Sequence, residues 1–233
     1  LREPEAVYAV LSSKGGVGKT TISVLMALAA SDAWGSAGLL DLDFVNPSTH
    51  VLLGLNPGSI EYREHRGVEP HKLDNLLYFS IVAYTRDQPL ALRGKAAQDA
   101  LWEVLSIVNW GRVKALFIDT PPGIGDEHLE VIYRLKDVVK PIIVSTPSRL
   151  SLNSTAKLVK LLREAGYSEI FLFENMGDGG LRGFTEEWGL TYLGYMPFTS
   201  RVEECIGEIE CLRELSRELK NALKLLEAPK PCS

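Results

Sequence analysis

Seven short runs rich in β-branched or aromatic residues alternate with stretches of helical spacing along this chain. That alternation points to a parallel sheet covered by helices on both faces. The runs are Ala6–Leu11, Ala37–Leu42, Asn75–Val82, Val113–Ile118, Val138–Ser145, Glu169–Phe173 and Thr191–Tyr195. Several are apolar at successive positions, as in Ala115-Leu-Phe-Ile118 and Pro141-Ile-Ile-Val144, which suits strands buried on both faces. Helices are expected from about Gly18, Lys95, Asp126, Ser151, Leu181 and Glu203, each long enough to return the chain to the start of the next parallel strand. The expected fold is a doubly wound α/β domain with a mostly parallel sheet of about seven strands.

At 233 residues, with no Pro/Gly/Ser-rich linker and no internal repeat, the chain is expected to form one domain over 1–233, with 228–233 as a disordered tail. The polar segment Ile60–Asp74 is expected to be a long surface loop. His65 and His71 within it, mixed with Glu61, Glu64 and Glu69, have no familiar chelating spacing, so a solvated loop is preferred to a metal site. The 25 Lys+Arg against 30 Asp+Glu give a net charge of −5, which argues against a broad basic face for nucleic acid or anionic lipid. Three cysteines, Cys205, Cys211 and Cys232, cannot make a disulfide framework, and their odd number fits a reducing, cytoplasmic setting. The longest apolar run, Val24–Ala30, is far short of the roughly 20 residues that cross a bilayer. The opening Leu-Arg-Glu-Pro-Glu does not resemble a secretory leader.

Glycine and proline cluster where strands end, which in open α/β sheets is the ligand-binding edge. After the first strand comes Ser12-Ser13-Lys14-Gly15-Gly16-Val17-Gly18-Lys19-Thr20-Thr21, then an apolar helix. Glycine-rich turns also occur without ligands, but strand, glycine loop and helix together are the context of a phosphate cradle. The glycines let successive N–H groups curl inward on a polyphosphate, and the helix adds its positive end. Lys19 is expected to neutralise the β- and γ-phosphates, Thr20 to ligate Mg²⁺ and Thr21 to meet the α-phosphate. The second strand ends in Asp41-Leu42-Asp43, which strand alternation places on one face. The fourth ends at Asp119, suited to holding Mg²⁺ through water. The following Thr120-Pro-Pro-Gly-Ile-Gly125 reads either as a γ-phosphate switch or as a proline-stiffened turn.

Lys14, directly before the paired glycines, makes this loop resemble the deviant Walker A sequence xKGGxxK followed by Ser or Thr, found in SIMIBI-type ATPases such as the MinD, ParA, nitrogenase iron protein and Mrp families. The resemblance implies a homodimer around ATP in which Lys14 reaches the partner's nucleotide, with Asp43 orienting the attacking water and Asp41 near the metal. Ile118-Asp-Thr-Pro-Pro-Gly-Ile-Gly-Asp126 with Leu129, Asp87-Gln-Pro-Leu-Ala-Leu-Arg-Gly94 and Phe173-Glu-Asn-Met176 resemble the Mrp (ApbC) branch in particular. There the resemblance gives Asn175 the adenine edge and places Pro197 in the base pocket.

Typical Mrp proteins carry Cys-x-x-Cys soon after the Asn-Met pair, where two subunits share an iron–sulfur cluster. Here Gly177-Asp178-Gly179-Gly180 stands instead, and glycine has no ligating side chain. Cys205 and Cys211, placed on one continuous helix, would point about 240° apart. They read as buried or incidental thiols, or as ligands paired across a dimer axis. An engine without cluster ligands is expected to drive a partner. The first reading is therefore nickel delivery with a small metallochaperone, resembling the ATP-type nickel-maturation ATPase of nickel–iron hydrogenase. The alternatives are an atypical iron–sulfur carrier or assembly ATPase and a MinD-like membrane-positioning module. For the last, the stripe Ile209, Leu212, Leu215, Leu219, Leu223 and Leu226 is the candidate lipid face, although its mixed-charge flank favours packing on the sheet.

Overall fold

The computed structural model describes residues 4–65, 67–86, 88, 94–123 and 133–226. Strands are β1 Val7–Leu11, β2 Ala37–Asp41, β3 Arg63–Glu64, β4 Val68–Glu69, β5 His71–Leu73, β6 Leu76–Ser80, β7 Ala115–Asp119, β8 Val139–Ser145, β9 Phe171–Asn175 and β10 Thr191–Met196. All seven expected runs form strands, and they join in the order β10-β9-β8-β1-β7-β2-β6, parallel throughout. From β1 the chain moves to β2, leaving a place that β7 later fills, and then crosses to β8 on the other side of β1. The winding direction therefore reverses at β1 and β7, and the loops leaving their carboxyl ends diverge into a crevice.

Among the described residues the sheet has eight strands, one more than the seven expected runs. The segment 60–74, expected to be an unstructured loop, contains the short β3/β4 ribbon and then β5, which pairs antiparallel with β6 at the sheet edge. The two residues joining β5 to β6 include Asp74 in the left-handed region (φ 53°), a geometry that tight hairpins require and that Asp tolerates. Turn chemistry thus outweighed the low apolar content of this segment. His71 Nδ1 accepts the Glu61 N–H at 3.3 Å.

Alternation along the buried strands divides the core in two. Tyr8 and Val10 of β1 face a cluster containing the helix Lys19–Trp34 and the C-terminal helices, whereas Val7, Ala9 and Leu11 face the helices Lys95–Ile107 and Arg149–Glu164. The helix expected at Leu181 spans Arg182–Glu187. The one expected at Asp126, and the tail 228–233 with Cys232, lie outside the described residues.

The continuous helix expected from Glu203 is instead broken into Arg201–Glu204, Ile209–Ser216, a 3₁₀ turn Arg217–Leu219 and Lys220–Leu225. Gly207 in the left-handed region (φ 84°) ends the first piece, as glycine commonly does. That break overturns the reading of the two cysteines: on separate elements, Cys205 and Cys211 lie 5.2 Å apart at Cα and form a disulfide. The leucine stripe faces inward, with Leu212, Leu215, Leu219, Leu223 and Leu226 buried and Ile209 packed at the cluster margin. The domain core therefore occupies the face that lipid would need. Among the described residues no helix is long and apolar enough to cross a membrane.

Candidate nucleotide site

The crevice beside β1 and β7 collects most of the residues singled out in the sequence. Beyond β1 the chain turns through Gly16 and Gly18, both at φ 79°, with Gly15 and Gly16 exposed and Val17 buried. A Cβ on Gly18 would lie 2.2 Å from Asn175 Nδ2, so this position requires glycine for space as well as conformation. The helix begins at Lys19, which places Lys19, Thr20 and Thr21 in its first turn, where main-chain N–H groups are free of helical partners. Exposed glycine main chain, a helix N-terminus and an adjoining lysine make a set that fits a polyphosphate.

Asp119, at the end of β7, is the hub. Its Oδ1 accepts from Lys19 Nζ at 2.6 Å and from Ser23 Oγ at 2.6 Å, while Oδ2 accepts from Thr20 Oγ1 at 2.9 Å. Lys19 and Asp119 are both buried, at 6% and 1% exposure. Ser23 was not anticipated from the sequence. Its signal was available, because it stands four residues after Lys19 and so shares that helix face.

Asp41 pairs in register with Asp119 across β2 and β7. Burial first, and then the Asp119 carboxylate, push the Asp41 carboxyl up to about 7, against hydrogen bonds from Thr49 and the Asp43 amide and the Lys19 charge. Thr49 Oγ1 donates to Asp41 Oδ2 at 2.6 Å and the Asp43 amide donates to Oδ1 at 2.9 Å. β2 stops at Asp41, so Asp43 does not continue the strand face as expected. It opens a turn, half-buried, where its Oδ1 accepts the amides of Val45 (3.2 Å) and Asn46 (3.0 Å). No group of three or more His, Cys, Asp and Glu among the described residues could hold a metal ion. Thr20, Asp41, Asp43 and Asp119 therefore do not form an all-protein cage. The donor set instead suits Mg²⁺, which keeps waters and takes phosphate oxygens alongside one or two protein ligands.

Lys14 is half-buried at the mouth of a cavity of about 380 Å³ shared with Ser148, Leu150 and Met176. Its carbonyl accepts from Ser12 Oγ at 2.9 Å, and neighbouring Ser13 Oγ lies 3.4 Å from Thr155 Oγ1. Asn175, at the end of β9, donates from Nδ2 to the Val17 carbonyl at 2.8 Å, and its Oδ1 is buried without a hydrogen-bond partner. That amide thus braces the phosphate loop. Pro197 is exposed just beyond β10 and follows Met196, which pairs in register with Asn175. Of the expected switch segment, Gly123 donates its N–H to the Ser12 carbonyl at 3.2 Å. Residues 124–126, Leu129, Asp87 and 89–93 lie outside the described residues.

The segment Gly177–Gly180 is organised by Glu174, another residue the sequence reading missed. This fully buried carboxylate accepts the N–H groups of Gly179 (3.2 Å), Gly180 (3.2 Å) and Leu181 (3.0 Å) and the Tyr192 hydroxyl (2.8 Å). The signal was an acidic residue inside an otherwise apolar strand run.

Residues 3–180 match the family model described as ParA, NUBPL iron-transfer P-loop NTPase. The chain is 32% identical over 247 residues to the cytosolic Fe-S cluster assembly factor Nubp2 homolog of Anopheles gambiae, covering 91% of this chain and 95% of the relative. It is 30% identical over 242 residues to the Nubp1 homolog of Drosophila melanogaster, covering 92% and 78%. Among solved structures it resembles a nucleotide-binding protein of Archaeoglobus fulgidus in complex with ADP, at 25% identity and TM-score 0.74 over 96% of this chain and 92% of that one. The MinD cell division protein of Aquifex aeolicus shares the fold at 18% identity and TM-score 0.68, covering 98% and 100%. Members of this class are ATPases, and on this match the chain belongs to the NUBPL iron-transfer family of ParA-type P-loop NTPases.

Proposed function

We propose that this protein is a cytosolic, ATP-driven assembly factor for iron–sulfur clusters that acts on a partner instead of carrying the cluster on its own thiols. The observation that carries the reading is the likeness, over nine-tenths of the chain, to relatives named as Fe-S cluster assembly factors. The nickel-delivery reading raised by the sequence has no support among them and gives way to the iron–sulfur alternative. Two features of the thiols support acting on a partner: Gly177–Gly180 supplies none, and Cys205 is buried and bonded to Cys211, while Cys232 lies outside the described residues.

In this reading Mg-ATP is the substrate. The amides of residues 15–18 and the Lys19 ammonium bind its phosphates, and the Thr20 hydroxyl with Asp119 holds the magnesium, directly and through water. Asp43, fixed by its turn, orients the attacking water. Lys14 crosses to a second copy's triphosphate, so hydrolysis follows dimerisation, and Asn175 and Pro197 border the base. ATP-bound and ADP-bound forms differ in affinity for the partner, the one way nucleotide can drive loading or release.

The test combines turnover with delivery. Lys19→Ala is expected to abolish nucleotide binding, whereas Lys14→Ala and Asp43→Ala keep binding and lose about 10²-fold in hydrolysis. Light scattering is expected to show a dimer with a non-hydrolysable ATP analogue and less of it with ADP. Anaerobic cluster assembly on an apo-ferredoxin acceptor, with iron, sulfide and this protein, is expected to accelerate only with ATP. Acceleration that survives in Lys19→Ala, or none at all with ATP, would overturn the reading.

A further inference from the structure

Cys205, wholly buried, and Cys211, half-buried, close a short covalent ring around the bend at Gly207. From inside that ring Gly207 donates its N–H to the Leu52 carbonyl at 2.9 Å. Gly54 (φ 69°) meets the same bend so closely that a Cβ there would sit 2.2 Å from the Gly207 carbonyl oxygen. Leu52 is the last residue of a one-turn helix that starts at Thr49, and Thr49 Oγ1 is the 2.6 Å donor to Asp41 Oδ2. Four helical residues rise only about 6 Å, and Leu52 and Leu53 are buried in the core, so one short packed turn links the two ends. At one end it touches the disulfide ring and at the other the acid beside Asp119.

We infer that the Cys205–Cys211 bond is a redox-modification site: closed, it holds the Gly207 bend and the Thr49–Leu52 turn in place beneath Asp41, and reduction by a dithiol loosens that support and slows ATP turnover. The physical reason is loop entropy. A covalent tie across a few residues removes the conformers in which Gly207 leaves Leu52, and breaking it restores them. A thiolate of the dithiol attacks the half-buried Cys211 Sγ, the Sγ–Sγ bond breaks, and Cys205 departs as a thiolate that takes a proton. The second thiol of the reductant then displaces Cys211. The reductant ends as a disulfide and the protein as two thiols, a balanced transfer of two electrons and two protons.

The inference uses the ATPase reading for its readout, and the two fail separately, since a Lys19→Ala protein that still hydrolysed ATP would sink that reading alone. The experiment compares kcat/KM for Mg-ATP in air-oxidised protein and after dithiothreitol, with thiols counted by alkylation and mass spectrometry. Reduction is expected to expose two further thiols and lower kcat/KM about three- to tenfold, the range for loosening one support of a site. The Cys205→Ala/Cys211→Ala protein is expected to run at the reduced rate and ignore the reductant. Gly54→Ala, which wedges the bend from Leu52 without touching sulfur, is expected to bring oxidised protein to that same rate. Equal turnover in both redox states, or a double variant that matches the oxidised protein, would overturn the inference, as would a fall in melting temperature with no kinetic change.

Discussion

Two loops of this protein leave parallel strands of the same sheet, at Leu11 and at Asn175, and both are rich in glycine. They differ in where the anion comes from. The loop after β9 closes on Glu174, a carboxylate of its own chain that accepts three consecutive amides and a tyrosine hydroxyl. The loop after β1 keeps Gly15 and Gly16 at the surface and draws its acid, Asp119, onto the lysine and hydroxyls beside it. The first is completed internally, whereas the second fits the phosphate role proposed for it. Residues 177–180 thus form a loop organised by Glu174.

The strongest way to break this contrast is Gly18→Ala. Its Cβ would meet the Asn175 amide in a backbone conformation that alanine resists, and ATP affinity measured by calorimetry is expected to fall about 10²-fold or more. Next comes Glu174→Ala, which strands the buried Leu181 amide together with the part-buried amides of Gly179 and Gly180 and the Tyr192 hydroxyl. Denaturant unfolding is expected to show a loss of about 3 kcal/mol, with phosphate-loop chemistry intact in the folded fraction.

Asp41→Asn sharpens the electrostatic side. The Asp41 carboxyl, raised from 3.8 to about 7, stays protonated in the folded chain while the unfolded chain ionises, so it lowers stability progressively as pH rises from about 4 to about 7 and not below that window. The neutral variant is expected to gain roughly 2 kcal/mol more over the native protein at pH 8 than at pH 5, in magnesium-free unfolding curves. Least affected is Gly180→Ala. A Cβ there would meet nothing nearer than Asp178 Oδ1 at 3.4 Å, and the backbone is not left-handed, so a change under about 0.5 kcal/mol is expected. A large loss there would show that the 177–181 loop depends on glycine as the phosphate loop does.

The strands, the phosphate loop and the acids at the strand ends were legible because each is a local signal. Apolar runs set strand identity, and glycines with a following lysine and threonine set a cradle, whatever lies elsewhere in the chain. The edge strand β5 was missed because its pairing comes from a turn and a neighbour instead of from apolar content. The bend at Gly207 was missed because the leucine stripe begins only at Ile209, beyond it, and so says nothing about where the helix before it ends.

The sequence by itself determined the doubly wound layout and the glycine-rich loop at the sheet's carboxyl edge, since composition and spacing carry both, and it set Gly177-Asp-Gly-Gly180 where the resemblance implies thiolates. Only the tertiary structure decided that Asp41 sits in register with Asp119, that Asn175 braces Val17, that Glu174 fills its own loop and that Cys205 meets Cys211. Each of these joins residues on different elements. Strand register, helix breaks and close backbone approach set their distances, and no local pattern in the chain records them.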